Sequence, residues 1–144
     1  MTNGLAFSIL VVDDDEDDRM VIDEAFLEIG YDAEVKKFID GKALLHYLES
    51  ISADLYPSLI VLDNTLPQLD ATDLLSILKS NSAYNQIPVV IYTTSLSPSK
   101  KEQLSAKGAY ACFEKGSTMQ EIVQLVKDLR NIAEEGSHNP AIGT

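Results

Sequence analysis

The chain has 144 residues, 45% of them hydrophobic, which is enough for one globular domain with a real core and too little for a second. A formal net charge of -12, with no Lys/Arg run, excludes a nucleic-acid binder that works by neutralising phosphates and points to a cation or a basic protein surface. The single cysteine, Cys112, precludes an internal disulfide, no apolar run reaches the roughly 18 residues of a membrane span, and "MTNGLAFSIL" lacks a signal pattern, so a reduced, cytoplasmic protein is expected.

In chain order, "SILVVD" (8–13) reads as a buried strand that runs directly into acids. Carboxylates this close repel and lose hydration at a core edge, so each needs an offset. Asp13 and Asp14 end the strand and are assigned to a cation. Asp15 is placed to cap the first helix, and Glu16, Asp17 and Asp18 fill its first turn, where the helix dipole favours negative charge. A calcium loop from Asp13 to Glu24 fails at Asp18, where a turn-permitting glycine is required, and a strand precedes it.

The first helix carries Val21, Ile22, Ala25, Phe26 and Ile29 on one face and is followed by Gly30. A mixed strand, "AEVKKF" (33–38), leads to Asp40-Gly41 and a helix with Leu44, Leu45 and Leu48. "SLIVLD" (58–63) is apolar up to Asp63; Pro67 then shapes a turn and Asp70 caps a helix with Leu74, Leu75 and Leu78. "PVVIYT" (88–93) ends in Thr93, and Ser97-Pro98 supply a cap and an N1 proline for the fourth helix. "AYACFE" (109–114) ends at Lys115, and Ser117-Thr118 with Glu121 offer a capping box for a last helix with Ile122, Leu125, Val126 and Leu129. The tail "GSHNPAIGT" after Glu135 has turn formers and no period, so it is expected to be mobile. His46 and His138 lack the spacing of a zinc site or a triad.

Five β-then-α units, with the first, third and fourth strands apolar throughout, imply a doubly wound parallel sheet whose second and fifth strands are edges. Ligands of such sheets bind outside the carboxyl ends of the strands. There the sequence converges Asp13, Asp14, Asp63, Thr93 and Lys115. Hard oxygens with water access suit Mg²⁺.

"ILVVDD", "LIVLDNTLPQLD", "PVVIYTTS" and "FEKG", in this order at strand ends, resemble the receiver domain of two-component response regulators, from about Ser8 to Ile132. The resemblance implies a CheY-like, flavodoxin-like fold with strand order 2-1-3-4-5 and five helices, a receiver domain over 1–135 and a flexible tail over 136–144. It implies Asp63 as phosphoacceptor, Mg²⁺ on Asp13, Asp14, Asp63 and the backbone carbonyl of Thr65, and Thr93 and Lys115 as the switch hydroxyl and the lysine of the site. The implied partners are a sensor histidine kinase or phosphotransfer protein, and a downstream protein or a second copy met by the face of the fourth helix, fifth strand and fifth helix, where Lys100, Lys101 and Lys107 lie. No nucleic acid or membrane partner is implied.

The chain departs from the family at Cys112, three before the lysine, where an aromatic is common; Tyr92 and Tyr110 are expected nearby and could substitute for it. Lys115 is followed by Gly116 rather than proline, so that bond is expected trans and the loop looser. "TTS" and the missing proline resemble regulators paired with phytochrome-type kinases. A Mg²⁺-dependent phosphohydrolase using Asp63 is the alternative, but such enzymes place an acid two residues after the nucleophile, where Thr65 stands. A flavin carrier would need a Gly- or Ser/Thr-rich phosphate loop after the first strand, where acids stand.

Overall fold

In the computed structural model, which describes residues 8–138, five parallel strands alternate with five helices. The strands are β1 (Ile9–Val12), β2 (Val35–Phe38), β3 (Leu59–Asp63), β4 (Val89–Thr93) and β5 (Ala111–Glu114). The helices are α1 (Glu16–Glu28), α2 (Gly41–Ser50), α3 (Ala71–Ser80), α4 (Pro98–Ala106) and α5 (Met119–His138). The order is β2-β1-β3-β4-β5, so β2 and β5 are the edges that their mixed composition implies. No helix among the described residues is long and apolar enough to cross a membrane.

Strand alternation sorts the core into two layers. Leu10, Val12, Ile60, Leu62, Val89 and Ile91 face α2, α3 and α4, where Leu44, Leu48, Leu74, Leu78 and Leu104 meet them. Ile9, Val11, Leu59, Val61, Val90 and Tyr92 face α1 and α5, against Ile22, Phe26, Leu125 and Leu129. Each such side chain contributes about 1.5–3 kcal/mol by leaving water, and truncating fully buried Leu74 to Ala would cost about 2–5 kcal/mol.

Local chemistry fixes the helix ends. Asp15, Asp40, Asp70 and Ser97 accept hydrogen bonds from the first-turn N–H groups of α1, α2, α3 and α4. α1 closes with Gly30 at φ +69°, its N–H on Leu27 and that of Tyr31 on Phe26, a Schellman cap completed by the Phe26–Tyr31 ring contact. Thr118 Oγ1 accepts from Glu121 N–H while Glu121 Oε1 accepts from the N–H groups of Ser117 and Thr118, the expected capping box.

Three features differ from the sequence reading. A short 3₁₀ turn, Ala53–Leu55, precedes β3 without a distinguishing pattern. α5 continues through Gly136 to His138 instead of stopping at Glu135, because Leu129, Ile132 and Ala133 hold it on the core and a glycine costs little in a last turn. The rest of the expected tail, 139–144, lies outside the described residues. Finally, the β5–α5 loop is not loose. Its peptides are trans, Glu121 staples it, and a Cβ on Gly116 would come within 2.5 Å of the Glu121 Cβ, so this close approach requires glycine.

Candidate functional site at the carboxyl rim

Backbone bonds just past the strand ends set the rim. Asp13 N–H donates to Phe38 O (3.0 Å), Asn64 N–H to Tyr92 O (2.9 Å) and Lys115 N–H to Thr93 O (2.8 Å). These extensions of the ladder aim residues of β1, β3 and β5 at one place, beside the point where the chain's connections diverge to the two helical layers.

One carboxylate oxygen from each of Asp13, Asp14 and Asp63 lies within 4.8 Å of the other two, close enough to hold a metal ion between them. Asp13 is fully buried, Asp63 is 3% exposed, and Asp14 is open to solvent. Lys115 Nζ bridges the buried pair, 3.1 Å from Asp13 Oδ2 and 3.2 Å from Asp63 Oδ2. Burial, and then the charge of Asp13, push the Asp63 carboxyl up to about 6, against the opposing pull of Lys115 and the Thr65 N–H. Burial alone would lower the Lys115 ammonium, but the hydrogen bond to Asp18 and the charges of Asp13 and Asp63 outweigh it and hold the ammonium above its usual range.

Thr65 turns its N–H (3.3 Å) and its hydroxyl (3.5 Å) to Asp63 Oδ1, both long contacts. Thr93 is buried, and its hydroxyl is engaged with its own loop, donating to Ser95 O at 3.3 Å. The β3–α3 turn is tight: Gln68 has φ +62° and Leu69 N–H donates to Pro67 O at 2.6 Å, a three-residue turn held in a conformation that strains non-glycine residues.

Three residues outside the sequence-derived set belong to this site. Asp18, read as a helix-start charge, accepts from Lys115 Nζ at 2.7 Å, closer than either rim carboxylate. Arg19 Nη1 donates to Asp13 O at 2.7 Å and fixes the start of the β1–α1 loop. Tyr92, 1% exposed, donates its phenol O–H to Asp13 Oδ2 at 2.5 Å and places its ring 4.8 Å from Lys115 Nζ. Burial, then the Asp13 charge, hold that phenol far above its ordinary titration range, so it stays a donor. A signal for it existed: a tyrosine in the otherwise apolar strand Val89–Thr93 must find a partner for its hydroxyl. Neither Tyr92 nor Tyr110 takes the place of an aromatic at Cys112. Cys112 is buried in the α2–α3–α4 layer, Tyr92 lies in the opposite layer, and Tyr110 is 56% exposed.

Fold and rim together define a doubly wound α/β protein that gathers three carboxylates, a hydroxyl and an ammonium beside its topological switch point. The chain belongs to the response regulator receiver domains, whose family model matches residues 9–127. It is 30% identical over 127 residues to the probable methanogenesis regulatory protein FilR2 of Methanothrix harundinacea, covering 86% of this chain and 81% of that protein. Response regulator Rcp1 of Synechocystis sp. is 33% identical over 90 residues, 60% of this chain and 61% of that protein. Among solved structures, the phosphorylated cyanobacterial phytochrome response regulator RcpA is similar at TM-score 0.75 and 28% identity, covering 86% of this chain and 91% of that one. The Mn²⁺-bound form of Rcp1 is similar at TM-score 0.74 and 25% identity, over 85% and 91%.

Proposed function

We propose that Asp63 accepts a phosphoryl group from a kinase phosphohistidine in the cytoplasm, with Mg²⁺ held by Asp13, Asp14, Asp63 and the Thr65 carbonyl. The observation that carries this is the convergence of the three carboxylates with Lys115 at the rim. The donor set fits a hard divalent ion, since all three side chains are carboxylates and exposed Asp14 leaves the ion open to water. When bound, the ion neutralises charge on the transferring phosphoryl oxygens.

Asp63 attacks phosphorus with a carboxylate oxygen, the phosphorus–nitrogen bond breaks, and the departing imidazole nitrogen keeps the electron pair. Lys115, already 3.2 Å from Asp63, pairs with a phosphoryl oxygen. Thr93 exchanges its long contact with Ser95 O for a shorter hydrogen bond to another, drawing the β4–α4 loop inward. The change is read on the face of α4, β5 and α5 by an acidic partner or a second copy; of the three lysines expected exposed there, Lys101 and Lys107 are exposed and Lys100 is half-buried.

Incubation with a small phosphodonor and Mg²⁺, followed by intact-mass measurement, should add one phosphate per chain to the wild type and none to Asp63→Asn. Equal labelling of both would end the assignment. On the output side, a beryllofluoride-dependent shift towards dimer in sedimentation, lost in Lys100→Glu/Lys101→Glu, is the expected mark of self-association; an unchanged monomer leaves only a heterologous partner for this face.

A further inference from the structure

Asp13 is the one rim carboxylate with no exposure to solvent, so every oxygen lone pair it uses is set by a neighbour. Oδ1 accepts the Asp15 N–H at 2.9 Å. Oδ2 accepts the Tyr92 O–H at 2.5 Å and lies 3.1 Å from Lys115 Nζ. The two donors on Oδ2 are unlike. Lys115 is divided among Asp13, Asp18 and Asp63, and a charged group on Asp63 would draw it further away. Among the described residues Tyr92 donates to Asp13, and it is fixed by its strand: its ring belongs with Ile22, Val90 and Leu125 to the α1–α5 layer, and β3 pairs with it in register at Asp63. The same ring lies 4.8 Å from the Lys115 ammonium, whose charge it attracts.

We infer that Tyr92 is a positioning residue for the divalent cation: its phenol holds Oδ2 of Asp13 and so fixes the orientation of the carboxylate that would meet the ion beside Asp14 and Asp63. Its ring at the same time supports Lys115 against the carboxylate pair. The role rests on the proposed cation site and adds to it a residue on the strand next to the acceptor, reached from the opposite helical layer to Cys112. Partners that orient a metal-binding carboxylate typically matter by 10–100-fold in metal affinity. Tyr92 shares the task with Lys115 and the Asp15 N–H, which places the expected loss at the low end of that range.

The test is Tyr92→Phe, which removes one oxygen and keeps the ring. Mn²⁺ affinity of the unphosphorylated protein, followed by the electron paramagnetic resonance of free Mn²⁺, should weaken about tenfold. With a small phosphodonor, the Mg²⁺ concentration for half-maximal phosphorylation should rise by the same factor, while the rate at saturating Mg²⁺ stays within about twofold of wild type. A purely structural role would lower the melting temperature and leave both cation dependences unmoved, and that result overturns the inference. If wild type takes up phosphate normally and the variant binds Mn²⁺ as tightly, the positioning role fails and the phosphoacceptor reading stands. If wild type takes up no phosphate yet the Mn²⁺ affinities differ tenfold, the reverse holds. Should the variant not fold, the wild type decides: the Tyr92 hydroxyl proton should exchange slowly with solvent and shift in step with Mg²⁺ saturation, whereas fast exchange with no shift overturns the proposal.

Discussion

Asp13 and Asp63 end neighbouring strands and are both buried, yet their surroundings treat them oppositely. Asp13 receives a 2.9 Å N–H, a 2.5 Å phenol and the shared lysine. Asp63 receives the lysine at 3.2 Å and two contacts from Thr65 at 3.3 and 3.5 Å. A carboxylate oriented by three donors and left with room on Oδ1 is held in place, which suits it to anchoring a cation. One that is dehydrated and thinly bonded is held up to about 6 and keeps lone pairs free for a new bond, as a nucleophile must. The β1 end of the rim is organised and the β3 end is poised.

The change with the largest expected effect removes the group that serves both ends. Lys115→Met should destabilise the cation-free protein at pH 7.5 by about 3 kcal/mol, since breaking a buried ion pair leaves an uncompensated charge. Most of that loss should return in the double variant with Asp63→Asn, because Asp13 keeps its phenol and N–H donors. Urea unfolding of the two proteins checks it. A single-variant cost under about 1 kcal/mol would mean that Lys115 does not compensate the pair, and the contrast drawn between the two carboxylates would lose its basis.

A second, smaller effect isolates Asp63. Its folded carboxyl at about 6 lies above the ordinary value of 3.8, so the folded state binds the proton more tightly than the unfolded chain. The stabilisation is complete below about pH 4, falls between pH 4 and 6, and is gone above that window. Across it, the cation-free wild type should lose on the order of 2–3 kcal/mol relative to Asp63→Asn, whose amide does not titrate there. Plotting the stability difference between the two proteins against pH removes the contribution of the other acids. A flat difference would show that burial does not hold the Asp63 carboxyl up.

How much of this was legible in the sequence follows from the range of the interactions. Strand runs, caps and the acids at strand ends are written locally, which is why "LIVLD" and the Asp15, Asp40, Asp70 and Ser97 caps read correctly. Asp18 was explained too well by its own helix: a first-turn acid has a sufficient local reason to be there, and its bond to Lys115 joins positions 97 apart. Tyr92 and Asp13 are similarly distant, and only the unexplained hydroxyl in an apolar strand hinted at the link. The positive φ of Gln68 was hidden because nothing in "LPQLD" demands a residue that tolerates it.

Asp14 provides the smallest effect on stability and the sharpest separation of position from charge. It shares the rim with Asp13 and Asp63 but is exposed, so water screens its repulsion from them. Relief of like charge on its removal is therefore slight, and the cation-free Asp14→Ala protein should unfold within about 0.5 kcal/mol of wild type, as surface changes usually do. Its cation affinity should nevertheless collapse, since one of the three carboxylates proposed to hold the ion would be gone. Thermal unfolding with and without millimolar Mg²⁺ measures both at once: wild type is expected to gain stability from Mg²⁺ and the variant to gain almost none. A clear fall in the cation-free melting temperature would place Asp14 among the structural carboxylates with Asp13. The rim would then contain two fixed charges and one poised group, rather than one of each and a ligand held at the solvent's edge.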